Sequence, residues 1–290
     1  MARSGSVAVV PEDRALPRQV DLEALEVDLL TQAIYEAYGF DFRRYSRPSL
    51  RRRLRRRMEA EGIATVSALQ DRVLHDAACM SRLFSDLSVH VSSMFRDPGF
   101  YVAFREKVVP LLRTYPFVRI WNAGCAGGEE TYSIAILLTE EGLYDRSRIY
   151  ATDLNPGVLE QARGGAFPIA KMQEYTSNYI QAGGVRSFSE YYAADGGRVV
   201  FQPSLADNIV FAEHNLVTDR SFNEFHVIVC RNVMIYFDRT LQDRVHELFH
   251  SSLITFGVLG LGTKETLAAT DYADRYQQLD EAARLYRKVR

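Results

Sequence analysis

The segment FVRIWNAGCAGGEETYSIAI, residues 117–136, sets the expected fold. Its first part, Phe117–Ala123, is a continuous apolar run that predicts a buried strand, and the glycine turn Gly124–Gly128 separates it from a predicted helix, Glu129–Glu141. Glycines between a strand and a helix let the backbone approach a ligand closely and leave the helix N-terminus free to face it. We therefore expect a ligand at Gly124 and its neighbours, the alternative being a plain tight turn.

A carboxylate at the end of the next predicted strand, Arg148–Asp153, narrows the kind of ligand. Asp153 is placed to accept both hydroxyls of a ribose, although a cap of the helix that follows Asn155 is an alternative. The glycine spacing G-x-x-G-G differs from the G-x-G-x-x-G fingerprint that fits a pyrophosphate. The two features together predict an adenosine-type ligand at the carboxyl ends of the strands.

Strands and helices alternate through the rest of the chain, which is typical of an α/β fold with a parallel sheet and helices on both faces. Residues 164–206 are longer than a simple connection needs, so we expect an inserted subdomain there. The further strands are predicted at Ile209–Glu213, Val227–Cys230, Val258–Leu261 and Leu285–Val289, and the helices around Gly157–Ala162 and from Arg239 to about His250.

The N-terminal part of the chain has a different pattern. Residues 1–19 lack periodicity and are expected to form a mobile tail, residues 20–95 a small all-helical domain, and residues 96–290 the α/β domain. Gly39 and Gly62 are expected to end the first two of four helices. The apolar residues expected on one face of each are Leu22, Leu25, Leu29, Ala33 and Ile34 in the first helix, and Leu50, Leu54 and Met58 in the second.

The composition excludes several classes of protein. Of the 290 residues, 47% are hydrophobic and 25% charged, and the net charge of −2 gives no global bias toward nucleic acid or acidic membranes. The three cysteines, Cys79, Cys125 and Cys230, form neither a disulfide framework nor a metal motif. The sequence predicts neither a signal peptide nor a membrane span, so a cytoplasmic location is expected.

Four segments of the chain resemble the chemotaxis receptor methyltransferases of the CheR type: FRDPGFY (95–101), IWNAGCAGGEETYSIAI (120–136), ATDLNPGVLEQAR (151–163) and CRNVMIYFD (230–238). The resemblance implies a helical N-terminal domain joined to a Rossmann-like class I methyltransferase domain that binds S-adenosylmethionine, with a small antiparallel β-subdomain in the insertion. It also implies the reaction, methyl transfer to glutamate carboxylates of chemotaxis receptors to form the methyl esters used in sensory adaptation.

The resemblance further implies a set of cofactor-binding residues. Arg96 would face the carboxylate of the methionyl part, the alternative being a surface position before Asp97. Glu129 begins a helix, where an acid is favoured in any case, so a purely structural role is its alternative. The residues that match the family's motifs, together with Gly124 of the glycine turn, are Ser92, Arg96, Glu129, Asp153, Asn215, Leu216, Arg231 and Asn232.

The chain departs from the family pattern at two places. The family commonly has Asn where this chain has His90, so His90 either takes over that cofactor contact or packs as a partly buried histidine. The family's late Gly-His-Ser-Glu stretch reads Gly262-Thr263-Lys264-Glu265 here, and the roles of the missing His and Ser do not carry over.

The second predicted helix is rich in arginine, with nine arginines and no acids between Arg43 and Arg57. Adjacent like charges repel, so a purely solvated face explains the pattern poorly. Residues 21–95 contain 11 Lys+Arg and 11 Asp+Glu, and this neutral balance disfavours nucleic acid as the partner. An acidic protein surface is the expected partner, and the resemblance implies that this surface is the glutamate-rich cytoplasmic helical domain of chemotaxis receptors. The residues expected to bind it are Arg51, Arg52, Arg53, Arg55, Arg56 and Arg57.

The expected chemistry needs little from the protein beyond alignment. A glutamate carboxylate, with an ordinary pKa of about 4.3, is already ionised at neutral pH and needs no general base. The step is then an in-line displacement in which the protein holds the reactants and excludes water. Tight pairing of the reacting carboxylate to an arginine would stabilise the ground state more than the transition state, in which the charges cancel. Tyr236 is therefore the candidate positioning donor, with aromatic packing as its alternative, and Tyr236 and Arg96 are the candidate catalytic residues.

Other functions are weighed against this one. A catalytically weak S-adenosylmethionine-binding regulator that docks on signalling proteins is the main alternative. A nucleic acid methyltransferase is disfavoured because the chain lacks an Asn-Pro-Pro-aromatic motif. The insertion either binds a receptor's C-terminal peptide by strand addition or is a folded decoration. A monomer without a metal site or membrane insertion is the default expectation.

Overall fold

The computed structural model describes residues 21–88, 92–268 and 270–290, so the predicted tail at residues 1–19 and the candidate residue His90 lie outside the described residues. The helices are α1 (Leu22–Tyr38), α2 (Arg47–Glu61), α3 (Val66–His75), α4 (Ala77–Leu87), α5 (Pro98–Ala103), α6 (Val109–Leu112), α7 (Glu129–Glu140), α8 (Pro156–Arg163), α9 (Met172–Gln181) and α10 (Arg239–Ser252). The strands are β1 (Val118–Ala123), β2 (Ser147–Asp153), β3 (Ala166–Pro168), β4 (Tyr192–Asp195), β5 (Arg198–Phe201), β6 (Ile209–Glu213), β7 (Phe225–Cys230), β8 (Leu253–Leu261), β9 (Tyr276–Asp280) and β10 (Leu285–Lys288).

Helices α1 to α4 form the predicted helical unit. Asp21 caps α1, its side chain accepting from the backbone N–H of Ala24 at 3.1 Å. Gly39 and Gly62 end α1 and α2 in the left-handed conformation, with φ of 77° and 67°, as the sequence predicts. Four helices over this region are thereby confirmed.

The predicted apolar face of α1 is wrong, apart from Ile34. The residues of α1 that pack into the helical core are Val27, Leu30 and Ile34, whereas Leu22 and Leu29 are 65% and 51% exposed. Both sets recur at helical spacing. At 3.6 residues per turn, Ile34 lies about 100° around the helix from Ala33, so these two residues face different directions. The sequence therefore offers two apolar stripes, and the packing of α1 against α3 selects the one that carries Val27.

A π-helical turn, Phe104–Val108, interrupts the helical segment between α5 and α6. The backbone N–H of Val109 bonds back to the carbonyl of Phe104, one residue further than in an α-helix. Pro110 follows, has no N–H to donate and would clash with the carbonyl four residues earlier, which explains the widened turn.

The larger sheet has seven strands in the order β6-β2-β1-β7-β8-β10-β9. The first five are parallel, which confirms the predicted parallel sheet, and β10 is antiparallel to both of its neighbours. Strand β9 has no counterpart in the prediction. Because β2 and β7 lie on opposite sides of β1, a crevice opens beyond the carboxyl end of β1, where ligands bind in folds of this kind.

Apolar clusters cover both faces of this sheet. Successive residues of a strand point to opposite faces, so Ile120 packs with Ile134 of α7 while Trp121 packs with Ile228 and with Phe249 of α10. This arrangement confirms an α/β sheet with helices on both faces.

The inserted segment contains a second, three-stranded antiparallel sheet in the order β3-β5-β4, together with α9. This confirms a small antiparallel unit at the predicted place in the chain. Over the described ranges 21–88, 92–268 and 270–290, the helices are too short or too polar to cross a lipid bilayer.

Candidate functional site

A cleft opens where β1, β2, β6 and β7 end, and the helical unit forms its other wall. The predicted site residues that line it are Gly124, Asp153, Asn215, Leu216, Asn232 and Tyr236. The remaining lining residues are Tyr45, Ser88, Leu154, His214, Val217, Val233 and Phe237. The structure thus brings six predicted residues from four separate loops to one place.

Asp153 is fixed beside the glycine turn. Its Oδ2 accepts from the backbone N–H of Ala126 and its Oδ1 from that of Asn155, both at 3.0 Å. The cap of α8 is Asn155, whose side chain accepts from the N–H of Gly157 at 2.8 Å, so the alternative role of Asp153 as that cap is wrong. Each carboxylate oxygen retains a free acceptor position, which fits the two hydroxyls of a ribose.

The glycine turn needs its glycines for two reasons. Gly124 and Gly128 have φ of 75° and 93°, which side chains rarely adopt. A Cβ on Gly124 would lie 2.5 Å from a methyl group of Val233, and one on Gly128 would lie 2.9 Å from the Cβ of Ala162. The turn is therefore packed closely against the loop after β7 and against α8.

Backbone strain concentrates around the site. Among the described residues, six non-glycine residues have positive φ, and Phe95, Asp97, Ala126 and Asn232 are the four in site segments. Such a conformation costs roughly 1–2 kcal/mol and persists only where the surroundings enforce it. Phe95 is fully buried and its N–H donates to Ser133 Oγ at 2.9 Å. Because Phe95 and Asp97 flank Arg96, the surroundings that enforce their conformations also fix the backbone at Arg96.

Arg96 and Glu129 offer a free cation and a free acceptor. The Arg96 guanidinium makes no hydrogen bond or ion pair with any residue that the structure describes. Glu129 Oε1 accepts from the Tyr175 hydroxyl at 3.4 Å, while its Oε2 is buried and lacks a partner in the described part of the chain. Burial raises the pKa of Glu129, and smaller opposing effects come from its own backbone N–H, the Tyr175 hydroxyl, the charge of Lys171 and the Ser92 hydroxyl. A guanidinium and an unpaired carboxylate oxygen fit the carboxylate and ammonium of an α-amino acid.

The Arg231 side chain does not line the cleft. Its guanidinium donates to Glu130 Oε2 at 2.7 Å, to Asp97 Oδ2 at 2.9 Å and to the carbonyl of Arg96 at 2.9 Å, and it lies 4.2 Å from the ring centroid of Phe100. This buried network joins the Arg96 segment, the start of α7 and the loop after β7. A contact of Arg231 with the cofactor would come from its backbone and stays a prediction.

Glu265, which the sequence analysis assigned no role, holds the loop after β7. Its buried carboxylate accepts from the backbone N–H groups of Asn232, Val233, Met234 and Gly262 at 2.7–3.0 Å. Burial raises the pKa of Glu265. Glu265 is retained in the Gly262–Glu265 stretch although the two residues before it are altered, and this retention was the available signal. The altered residues, Thr263 and Lys264, are exposed.

The six arginines of α2 that the sequence predicts to bind the receptor fall into two groups. Four are engaged within the helical unit: Arg51 with Asp21, Arg55 with Glu23, Arg57 with Asp86 and Glu61, and Arg53 with the carbonyls of Asp86 and Leu87. Within the described ranges, Arg52 and Arg56 have no ion-pair or hydrogen-bond partner, and both are exposed. The repulsion expected from the sequence is thus relieved by acids of neighbouring helices, and a basic outer face remains.

Arg53 connects this helix with the cleft. Its guanidinium is half-buried and lies 4.8 Å from the ring centroid of Tyr236. The backbone carbonyl of Tyr236 accepts from the N–H of Ser46 at 2.7 Å, and Tyr45 forms a β-bridge with Phe237. The candidate catalytic tyrosine therefore sits where the helical unit meets the α/β domain. No sequence signal indicated that Tyr45 and Ser88 would join the cleft wall.

Comparisons with known proteins identify the family of the chain. The family model of the CheR methyltransferase SAM-binding domain matches residues 90–282, and that of the CheR methyltransferase all-alpha domain matches residues 25–88. The chain is 49% identical to the Pseudomonas putida protein Cher3 over 91% of this chain and 97% of that protein.

More distant relatives are named chemotaxis protein methyltransferases. The chain is 29% identical to a chemotaxis protein methyltransferase of Listeria monocytogenes, over 86% of this chain and 94% of that protein. It is 27% identical to the Escherichia coli chemotaxis protein methyltransferase, over 82% and 83% of the respective chains. The chain belongs to the CheR methyltransferase family, with S-adenosylmethionine as its cofactor and residues 90–282 as its S-adenosylmethionine-binding domain.

Proposed function

We propose that this chain transfers the methyl group of S-adenosylmethionine to glutamate side chains in the cytoplasmic helical domain of chemotaxis receptors. The observation that carries the proposal is the position of Arg53, which extends the basic face of α2 to Tyr236 at the cofactor cleft. Relatives named chemotaxis protein methyltransferases support the same reading. A clustered-glutamate helix lying on α2 would bring one carboxylate to the cleft and its neighbours to Arg52 and Arg56.

Predicted residues on the cleft, together with Arg96 and Glu129, which are not among the residues that line it, account for the cofactor's parts. Asp153 would hold the ribose hydroxyls, and Asn215 and Leu216 would offer an amide and an apolar surface to the adenine. Arg96 would bind the methionyl carboxylate and Glu129 the methionyl ammonium, both as charge-assisted hydrogen bonds. His90 and Ser92 stay predicted contacts.

The chemistry then depends on placement. When bound, S-adenosylmethionine supplies a methyl group on a sulfonium centre, which is a good leaving group. Tyr236 would donate to one oxygen of the incoming glutamate, while the stacked Arg53 keeps the tyrosine ring in place. Since Nη1 of Arg53 already donates to two backbone carbonyls, bidentate pairing through Nη1, which would slow the step, would compete with these bonds. The helical unit, through Tyr45 and Ser88, would exclude water.

Methyl transfer from labelled cofactor to purified receptor cytoplasmic fragments tests the proposal. We expect base-labile label on the receptor, and none on a matched fragment whose methylation-region glutamates are replaced by alanine. Cofactor binding without transfer would favour the regulator, and base-stable label on DNA or RNA would favour the nucleic acid enzyme.

Three variants assign the roles. Tyr236→Phe should lower turnover with near wild-type cofactor affinity, whereas unchanged turnover would remove Tyr236 from the mechanism. Arg52→Ala combined with Arg56→Ala should raise KM for the receptor fragment and leave cofactor affinity unchanged. Glu59→Ala, on the rim of the same basic surface, is the matched control.

A further inference from the structure

Helix α9 of the inserted segment contacts the part of the chain that carries the predicted methionyl-binding residues. Asn178 Nδ2 donates to the carbonyl of Met94 at 3.0 Å, and Ser93 Oγ donates to Glu174 Oε1 at 2.6 Å. Between these two contacts, the Tyr175 hydroxyl reaches Glu129 Oε1 at 3.4 Å. The insertion therefore supports the cofactor side of the cleft as well as forming its own small sheet.

Tyr175 has features of a positioning residue. It is 1% exposed, and in the part of the chain that the structure describes its hydroxyl has Glu129 as its single hydrogen-bond partner. Burial raises the pKa of Tyr175, which keeps the phenol protonated as a donor. Phenylalanine would fill the same space, so packing alone does not account for the hydroxyl. The bond is long, as such bonds often are before a ligand binds.

The two oxygens of the Glu129 carboxylate differ in their hydrogen bonding. Tyr175 takes up Oε1, and Oε2 is buried without a partner among the described residues. A Cβ on Gly127 would lie 2.8 Å from Oε2, so the glycine turn runs directly past this oxygen. An unpaired buried carboxylate oxygen is costly unless a ligand donor fills the position.

We propose that Tyr175 is a positioning residue for the cofactor: its hydroxyl orients Glu129 so that Oε2 meets the methionyl ammonium. The inference rests on the proposed role of Glu129. It gives the insertion a part in cofactor binding that is separate from any binding of receptor peptides by its strands.

Calorimetry with two ligands tests this assignment. S-adenosylhomocysteine carries the amino-acid part, and 5′-methylthioadenosine lacks it. Tyr175→Phe should weaken binding of S-adenosylhomocysteine about five- to tenfold and leave 5′-methylthioadenosine within about twofold of wild type, as expected for one lost hydrogen bond to a charged group. The control, Tyr191→Phe, removes a buried hydroxyl that donates to Glu140 at 2.9 Å and should change neither affinity.

A double-mutant cycle with Glu129→Gln separates the possible failures. Coupling between Tyr175→Phe and Glu129→Gln in S-adenosylhomocysteine binding supports the assignment. If Glu129→Gln discriminates between the two ligands and Tyr175→Phe does not, the role of Tyr175 is overturned while that of Glu129 stands. If Glu129→Gln weakens both ligands alike or neither, both roles fall. Absence of methyl transfer to receptors with the expected binding pattern intact would overturn the proposed function alone.

Discussion

The two ends of α7 each carry a buried glutamate, and they are built in opposite ways. At the C-terminal end, Glu140 accepts hydrogen bonds from the Tyr179 and Tyr191 hydroxyls and the N–H of Val185, and it pairs with Arg105. At the N-terminal end, Glu129 accepts a long hydrogen bond from the Tyr175 hydroxyl, and its Oε2 has no hydrogen-bond partner among the residues that the structure describes. A fully satisfied carboxylate stabilises the fold, whereas a partly satisfied one is tolerated where a ligand completes it.

The largest expected effect comes from breaking the satisfied end. Arg105→Met leaves Glu140 buried with its countercharge removed, and we expect a loss of about 3–5 kcal/mol in the free energy of unfolding, typical of removing one partner of a buried pair. Urea denaturation measures it. The binding of S-adenosylhomocysteine to the folded fraction should be unchanged, and a stability loss below about 1 kcal/mol would contradict the structural role of this pair.

The glycines that flank the two ends of α7 also differ from each other. Gly128 and Gly142 both have positive φ, but a Cβ on Gly128 meets Ala162, while one on Gly142 meets nothing within 4 Å. We expect Gly142→Ala to cost about 1 kcal/mol and Gly128→Ala about 2–3 kcal/mol, because the second adds a steric clash to the backbone strain. Thermal denaturation of the two variants checks the difference, and equal losses would show that the contact with α8 relaxes freely.

At the unsatisfied end, a substitution should alter binding and spare the fold. Glu129→Gln is expected to weaken S-adenosylhomocysteine by about 10- to 100-fold, corresponding to about 1.5–3 kcal/mol for a hydrogen bond to a charged group. Its free energy of unfolding should stay equal or rise, because the variant removes a buried charge. Calorimetry and urea denaturation of the same preparation measure both, and a loss of stability without a loss of affinity would make Glu129 a structural residue.

The sequence predicted the parts of this molecule that follow from local patterns. The strand–turn–helix around Gly124, the strand that ends at Asp153 and the helix ends at Gly39 and Gly62 were all predicted, because each depends on residues near it in the chain. The apolar face of α1 was not, because two stripes had the right period and only packing against α3 selects between them. Strand β9, which reads YQQLD, has too little apolar alternation to be recognised.

The same distinction between local patterns and contacts made by the fold applies to the candidate site. Residues in motifs, such as Asp153 and Asn215, were identified and line the cleft. Tyr175 and Glu265 were missed because no local signal marks pairs that are distant in the chain. The partner of Tyr175 lies 46 residues away, and the loop that Glu265 holds lies about 30 residues away. Arg231 was assigned to the cofactor by motif alone, and that contact stays a prediction. The orientation of its side chain depends on Glu130 and Asp97, which only the fold brings to it.

The smallest expected effect is a difference in pH dependence between the two glutamates. Burial raises the pKa of Glu129, so the ionised form destabilises the folded state, and this cost disappears as the pH falls through the raised folded-state pKa. Burial alone would also raise the pKa of Glu140, but the hydrogen bonds from Tyr179, Arg105 and Tyr191 outweigh it and lower the pKa below its ordinary value. Its stabilisation is present above the unfolded-state pKa and is lost as the pH falls through the depressed folded-state pKa.

The two replacements should therefore change the stability profile with opposite sign. Relative to wild type, Glu129→Gln should gain stability as the pH rises from the mildly acidic range to neutrality. The gain should be roughly 1 kcal/mol for each pH unit by which burial raises the pKa of Glu129 in the wild type. Glu140→Gln should instead show its largest loss in the free energy of unfolding at neutral pH and approach the wild-type value only in strong acid. Urea titrations of the three proteins from pH 2 to pH 8 resolve these slopes. Parallel profiles for the two variants would mean that the ends of α7 have the same electrostatic environment, and the division between a structural and a ligand-binding carboxylate would fail.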